Sequence, residues 1–377
     1  MITTKQISST PATRNYGIDA LRILSMFMVL VLHVLGAGGV LAAAKPFSAS
    51  YITAWTLETL AYCAVNCYGL ISGYVGIHSK FKYTNLALLW LQVLIYSVVG
   101  TLIFYLIDPD SVGGLRLLYS FFPVSKNYFW YFSSYFGLYL FIPLLNRVIN
   151  GLNVRQAKFL CLSIVLVFSV LPTVMNFDPF ATKGGYTVFW LMLLYILGAC
   201  IRKFDLLAKV KTVTLAVGYL LAVAASVGLK LFLNADIFPI LANFLSEDSL
   251  ISYTAPTILF CGISLLIIFS RFNHLPNWSV RGISFFAPVA FGVYIIHSVE
   301  HINALLFKDD RFGLLADYHP VLMVLAVLLS ACAIFIVCAL IDGLRLLLFK
   351  KLRIKQRLLK LEDKYIGDLW NSQNTPK

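Results

Sequence analysis

The chain has 377 residues, of which 60% are hydrophobic and only 12% are charged. This composition is too apolar for a soluble globular protein and predicts an all-α, polytopic bundle of transmembrane helices. The formal net charge is +13, but the basic residues are dispersed between apolar runs, so we expect no nucleic-acid partner.

Ten apolar runs follow one another along the chain, each with the roughly 20 residues that a helix needs to cross a bilayer. The predicted spans are 18–40, 54–76, 84–107, 127–149, 157–176, 186–202, 212–233, 250–270, 283–306 and 320–348. They divide the chain into an N-terminal tail (1–17), one membrane domain (18–348) and a basic C-terminal tail (349–377). Apolar residues recur within the basic tail, a pattern typical of a helix that lies on anionic membrane lipids.

The basic residues predict the orientation of the bundle. With the N-terminus in the cytoplasm, 23 of the 30 lysine and arginine residues fall on the cytoplasmic side, and seven fall on the other. Acidic residues such as Asp108, Asp178 and Asp248 fall on the outer side. We therefore expect both termini in the cytoplasm.

The first predicted span carries three ionisable residues in the stretch DALRILSMFMVLVLH (19–33). Asp19 and Arg22 are three residues apart on one helix face, so we expect them to form an ion pair near the cytoplasmic interface. His33 follows Arg22 by eleven residues, which places it about 16 Å farther along the axis, in the outer half of the membrane. Ionisable groups are costly in hydrocarbon and indicate a function, although the Asp19–Arg22 pair could also serve only to set topology.

Other ionisable side chains are predicted to lie at the depth of His33. Glu58 lies near the outer end of the second span, and His297, Glu300 and His301 lie in the ninth. Such a layer could form a general-base site, a proton relay or a metal site. The segment from His297 to His301 reads HSVEH and lacks the HExxH pattern, and the seven cysteines lack zinc-site spacing, so we expect no metal.

Two further segments each have two interpretations. In YGLISGY (68–74), Ser72 and Gly73 permit either close helix packing or the close approach of a ligand. In NYFWYFSSYFGLYL (127–140), Tyr131 and Tyr135 fit either an interfacial aromatic belt or a surface that stacks on sugar rings.

Three segments together resemble a known family. IDALR (18–22) is followed by His33 after ten intervening residues, YGLISGY ends the second span, and FGVYIIH (291–297) lies in the ninth. These segments are similar to the L-D-G-L-R opening and R-x10-H signature, the F-F-V-L-S-G-F segment and the G-V-Y-L-I-H segment of the acyltransferase-3 family of membrane acyltransferases. The resemblance extends over nearly the whole chain.

The resemblance implies a multi-pass enzyme of the cell membrane that transfers an acyl group from cytoplasmic acyl-CoA to a hydroxyl group at the outer face. Acetyl-CoA is the expected donor, with succinyl as the alternative acyl group, and a cell-surface or lipid-linked polysaccharide is the expected acceptor. The chain lacks the extracellular hydrolase-like domain of some members, so we expect it to act alone or with a separate extracytoplasmic partner protein.

The resemblance also implies roles for individual residues. The first-helix histidine is the family's catalytic candidate, here His33, and we expect a general base whose ring Glu58 orients, or else an acylated nucleophile. Arg22 would hold the phosphates of CoA together with Lys80 and Lys82, which replace the R-x-x-R pair of many members. The other predicted site residues are His297, Glu300, Tyr131 and Tyr135 for the acceptor, and Asp19, Ser72 and Gly73 for structure.

The alternative function is a transporter or flippase for a polysaccharide or its lipid-linked precursor. The intramembrane histidines and carboxylates would then form a proton relay. However, the sequence shows no internal repeat of the kind that many transporters have, and the ionisable residues are predicted to gather in one layer. Both observations favour the enzyme.

Overall fold

A computed structural model describes residues 14–126, 128–235, 244–272, 275–367 and 369. Within these residues the regular secondary structure is helical and no strand is present, which confirms the predicted all-α class. Parts of both predicted tails, residues 1–13, 368 and 370–377, lie outside the described residues.

The described α-helices range from single turns to 32 residues. In chain order they are α1 (Tyr16–Leu35), α2 (Val40–Ala43), α3 (Ala49–Ala61), α4 (Ala64–Gly76), α5 (Tyr83–Ile107), α6 (Pro109–Val112), α7 (Gly114–Ser120), α8 (Trp130–Gly151), α9 (Val154–Val165), α10 (Leu171–Met175), α11 (Val188–Lys203), α12 (Thr212–Asn234), α13 (Pro256–Ser270), α14 (Asn277–Ser298), α15 (Glu300–Phe307), α16 (Pro320–Lys351) and α17 (Ile354–Tyr365). A π-helix (Leu166–Val170) joins α9 to α10, and 3-10 helices cover Lys183–Gly185 and Gly313–Asp317.

Seven helices of the described chain are long and apolar enough to cross a membrane, so the protein is a multi-pass membrane protein. They are α1, α5, α8, the continuous α9–α10 segment, α12, α14 and α16. The other three predicted spans correspond to shorter helices: α11 has 16 residues, α13 has 15, and span 54–76 is divided into α3 and α4. The count of ten spans and the cytoplasmic position of both termini stay predictions.

The helix that corresponds to the ninth predicted span ends earlier in the structure than the sequence predicts. It was expected to continue to residue 306, but α14 ends at Ser298 because Val299 has extended backbone angles (φ −57°, ψ 126°). A separate helix, α15, begins at Glu300. This break separates Glu300 and His301 from His297.

Helices α4 and α11 pack backbone against backbone in the core. A Cβ on Gly73 would overlap the carbonyl group of Tyr195, and a Cβ on Gly198 would overlap that of Leu70. Glycine at both positions allows the two helices to approach closely, as small residues do at many membrane helix contacts. Helix α1 packs against α4, α14 and α16, so the helix that carries Arg22 and His33 is enclosed by the bundle.

The C-terminal helix α17 is attached to the bundle through Glu362. Its carboxylate accepts hydrogen bonds from the backbone N–H groups of Tyr83 (2.8 Å) and Thr84 (3.0 Å) and so caps the N-terminus of α5. Burial disfavours the charged carboxylate, but these hydrogen bonds outweigh it and hold the pKa of Glu362 below its ordinary value. The helix predicted to lie on lipid thus also holds the beginning of α5.

We predict that Glu362→Ala accelerates amide hydrogen exchange at Tyr83 and Thr84 about fivefold, because loss of an N-cap costs about 1 kcal/mol. Since the folded-state pKa of Glu362 is lowered, its stabilisation is present above the ordinary glutamate pKa and is lost as the pH falls through the lowered value. The difference from wild type, measured by hydrogen-exchange mass spectrometry, should be full near neutral pH and shrink in acid. Asp363→Ala, a substitution of an exposed neighbour, is the control, and an equal effect of both substitutions would contradict the capping role.

Candidate active site

The beginning of α1 holds a buried carboxylate between two arginines. Asp19 is 4% exposed and accepts hydrogen bonds from Nε of Arg14 and Nη1 of Arg22, each at 2.5 Å. The side-chain amide of Asn15 donates to the carbonyl of Ser270 (2.8 Å), which ties this end of α1 to α13. Charge-assisted hydrogen bonds of this kind fix the guanidinium groups in place. The ion pair predicted from the Asp19–Arg22 spacing is present, with Arg14 as a second partner.

Near the other end of α1, His33 is hydrogen-bonded to His297 of α14. Nδ1 of His33 lies 3.1 Å from Nε2 of His297, and Nδ1 of His297 lies 2.6 Å from the carbonyl oxygen of Val293. A carbonyl oxygen only accepts hydrogen bonds, so Nδ1 of His297 carries the proton of that ring. With both rings neutral, Nε2 of His297 accepts from Nδ1–H of His33. Nε2 of His33 is then unprotonated.

His33 lines a cavity of about 190 Å³, which we call the histidine cavity. Glu58 of α3 lines the same cavity; it is 7% exposed, and its Oε2 has no hydrogen-bond partner among the described residues. The rest of the polar and aromatic lining consists of Tyr62, Tyr68, Trp130, Tyr131, Tyr186, Tyr253, Phe291 and Tyr294. The cavity therefore brings the imidazole of His33, the carboxyl group of Glu58 and aromatic rings together.

A second cavity, of about 310 Å³, lies between the histidine cavity and Arg22, and we call it the arginine cavity. Tyr68, Tyr131 and Phe291 line both cavities and form the boundary between them. The hydroxyl of Tyr68 donates to the backbone carbonyl of Arg22 (2.9 Å), which fixes this ring relative to α1. The hydrophilic lining of the arginine cavity also includes Ser72, Ser79, Lys80, Asn85, Tyr135 and Tyr139.

Arg22 also lines an open cleft of about 500 Å³, which we call the basic cleft. Its other cationic or titratable basic residues are Arg14, His78 and Arg202. Burial and the positive charges of Arg202 and Lys203 lower the pKa of His78, so its ring is neutral near pH 7. The basic cleft shares Arg22 and Ser79 with the arginine cavity, so the three spaces follow one another from the basic cleft to His33.

The structure divides the predicted layer of ionisable residues. His33 and Glu58 line one cavity and His297 lies behind His33, whereas Glu300 forms a salt bridge with Arg116 outside that cavity. His301 is likewise separated, and its ring stacks on Phe104. The break at Val299 is the physical reason. The hydrogen-bond partner of His33 is His297 and not Glu58, the residue expected from the sequence to orient the ring.

The residues predicted to hold a phosphorylated ligand are also divided. Arg22 and Lys80 line the arginine cavity, whereas Lys82 precedes α5 and its backbone carbonyl accepts a hydrogen bond from Tyr139 (2.9 Å). Ser72 and Tyr135 line the arginine cavity as well, and Tyr131 lies at its boundary with the histidine cavity. Gly73 serves the contact between α4 and α11 described above.

Several lining residues were not identified from the sequence. Arg202 ends the sixth predicted span and was interpreted only as a topology signal, and His78 follows the second span. Tyr186 and Tyr253 belong to loops before α11 and α13, and their distance from His33 depends on how those loops fold. Neither pair carries a local sequence pattern that would have identified it.

A family model described as an acyltransferase domain matches residues 15–343 of the chain. The matched range contains every residue named above as lining the three cavities except Arg14. No curated protein and no solved structure shows significant similarity to the chain.

We predict that the neutral rings of His33 and His297 both carry their proton on Nδ1. Nitrogen-15 chemical shifts of histidine-labelled protein in lipid bilayers measure the tautomer of each ring. His297→Ala should allow His33 to exchange between tautomers because the acceptor for its Nδ1–H is removed, whereas His301→Ala should leave the His33 signals unchanged. A protonated Nε2 on His33 in the wild-type protein would contradict the derived hydrogen-bond chain.

Proposed function

The chain belongs to the acyltransferase-3 family of membrane acyltransferases, and we propose that it transfers an acyl group from acyl-CoA to a hydroxyl group of a glycan. The observation that carries this proposal is the series of three neighbouring cavities, joined by shared lining residues, that leads from the basic cleft to His33. A charged donor bound at one end can present its reactive group at the other.

The basic cleft has the chemistry that the phosphates of coenzyme A require. Arg14, Arg22 and Arg202 offer planar guanidinium groups, which bind phosphate oxygens through paired N–H donors. The thioester arm would pass through the arginine cavity, beside Ser72 and Tyr135. Arg22 and His33 are separated by about 16 Å along α1, which is comparable with an extended pantetheine arm of about 15–20 Å. The phosphates can therefore stay at the cleft while the thioester reaches His33.

His33 acts as the general base in this mechanism. Its Nε2 removes the proton of the acceptor hydroxyl while the hydroxyl oxygen attacks the thioester carbonyl carbon. A C–O bond forms, the C–S bond breaks, and the proton passes from His33 to the thiolate of the leaving coenzyme A. His297 accepts the Nδ1–H of His33, so it holds the ring in the required tautomer and disperses the charge of the imidazolium, a role comparable with that of the carboxylate in a catalytic triad.

We further propose acetyl-CoA as the donor, a cell-surface or lipid-linked polysaccharide as the acceptor, and the cell membrane as the location. Support for a sugar acceptor comes from the aromatic lining of the histidine cavity, since planar rings offer faces on which a pyranose can stack. In this arrangement Tyr131 lies where donor and acceptor meet, Tyr135 lies along the donor arm, and His297 acts through His33.

We predict that His33→Ala lowers turnover by at least about 100-fold, because general-base catalysis contributes about 10²–10⁴-fold to a rate. The assay measures release of free CoA and acylation of the glycan by membranes that contain the full chain, with binding of acetyl-CoA retained in the variant. His301→Ala should turn over like the wild type. Equal turnover by wild type and His33→Ala would remove His33 from the chemistry, and glycan export without CoA release by the wild type would indicate the transporter.

We also predict that Arg202→Ala raises the KM for acetyl-CoA about tenfold with little change in kcat, since a hydrogen bond to a charged group contributes about 1.5–3 kcal/mol. The effect should shrink at high salt, because screening weakens exposed charge pairs. Arg281→Ala is the control: Arg281 is exposed and lines none of the three cavities. A changed kcat with an unchanged KM would contradict a role of Arg202 in donor binding.

A further inference from the structure

Part of the histidine cavity is a continuous aromatic surface that extends to the outside of the bundle. The ring centroid of Trp130 lies 4.4 Å from that of Tyr186 and 6.1 Å from that of Tyr253, and the Tyr186 and Tyr253 centroids are 5.0 Å apart. We call these three residues the aromatic wall. Tyr186 is 45% exposed, so the wall can be reached from outside the protein. Aromatic rings of this kind combine a large apolar face with a polar edge, as a pyranose does.

Glu58 supplies the directional contact that the aromatic wall lacks. Its carboxyl group is buried in the same cavity, and Oε2 accepts no hydrogen bond from the described residues. A buried polar atom without a partner destabilises the folded protein, so such an atom in a cavity points to a donor on a bound molecule. A carboxyl oxygen keeps a lone pair in either protonation state and can accept from a hydroxyl group in both.

The charge of the cavity restricts the kind of molecule that fits. The described residues that line the histidine cavity include no lysine and no arginine. Lys230 packs over Trp55, three residues before Glu58, but its ammonium group already donates to Glu247 and Asp248, each at 2.9 Å. A carboxylate or phosphate on the ligand would therefore meet Glu58 with no free cation to balance it.

We propose that the histidine cavity is the subsite for one uncharged pyranose ring of the acceptor, and that Glu58 and the aromatic wall determine its specificity. The ring stacks on the aromatic wall, one hydroxyl reaches Nε2 of His33, and a second hydroxyl donates to Glu58. Pockets for larger ligands have volumes of about 300–1,000 Å³. The histidine cavity is smaller, about 190 Å³, and its size therefore agrees with a ligand of one ring. The inference rests on the proposed acyl transfer and adds the class of acceptor and the residues that select it.

The charge rule is tested with matched pairs of simple acceptors. The full chain in lipid nanodiscs receives acetyl-CoA and the methyl glycosides of glucose, galactose and mannose, each beside its uronic acid counterpart. We expect at least one neutral glycoside to be acetylated with a kcat/KM at least tenfold above that of its uronate. A uronate accepted equally well, or no glycoside accepted while acetyl-CoA is still hydrolysed, would overturn the proposal. Absence of any CoA release by the wild type would instead refute the proposed function itself.

The residue assignments are tested with paired variants on the accepted glycoside. Glu58→Ala and Trp130→Ala should raise the acceptor KM at least tenfold, whereas Glu58→Gln, which keeps a carbonyl acceptor, and Trp130→Phe, which keeps a ring, should stay within about threefold of wild type. All four should bind acetyl-CoA with the wild-type Kd and elute like the wild type from size-exclusion chromatography, which shows that they are folded. Asp317→Ala, a substitution of an exposed acid, is the control. A lower kcat with an unchanged acceptor KM in both Glu58 variants would show that Glu58 acts on His33, and the proposal would fall.

Discussion

The hydrogen bond between His33 and His297 is the interaction on which the site depends. It joins helices α1 and α14 through two residues that are 264 positions apart in the chain. The carbonyl of Val293 determines which ring donates in this hydrogen bond. Because that carbonyl can only accept, the protons of both rings are assigned to Nδ1 in the neutral state, and one nitrogen of His33 is left to act as a base. A backbone acceptor and a neutral imidazole thus orient the ring of His33, as a carboxylate orients the histidine of a catalytic triad.

Two buried carboxyl groups show how the bundle treats polar side chains with different roles. Asp342 is fully buried and accepts hydrogen bonds from Gln92, Tyr96 and both Nε and Nη2 of Arg345. Such a fully paired network contributes to packing and leaves nothing for a ligand. Glu58 is almost as buried, yet one of its oxygens faces no donor among the described residues. The difference in pairing, and not burial itself, separates a structural carboxyl group from one that is available for binding.

The series of cavities also separates charge along its length. Arg14, Arg22 and Arg202 lie at one end, while the described lining of the histidine cavity has no cationic side chain of lysine or arginine. A polyanionic ligand would therefore be held at the basic cleft by electrostatics, away from the histidine cavity. The boundary between the arginine cavity and the histidine cavity consists of Tyr68, Tyr131 and Phe291, which line both.

Composition and the length of the apolar runs were sufficient to predict an all-α membrane protein, because only helices satisfy backbone hydrogen bonds within a single segment in lipid. Short-range spacing predicted the Asp19–Arg22 pair, and the family resemblance, confirmed by the match over residues 15–343, identified His33 as the residue to examine. Hydropathy did not locate the breaks at Cys63 and Val299, because it is averaged over the length of a whole span. Glu300 and His301 were therefore expected beside His33, whereas neither lines its cavity. Only the tertiary structure decided three features of the site: the hydrogen-bond partner of His33, the position of Arg202 in the basic cleft, and the aromatic wall. Each depends on side chains from distant helices or loops meeting in space, and no local periodicity in the chain encodes that approach.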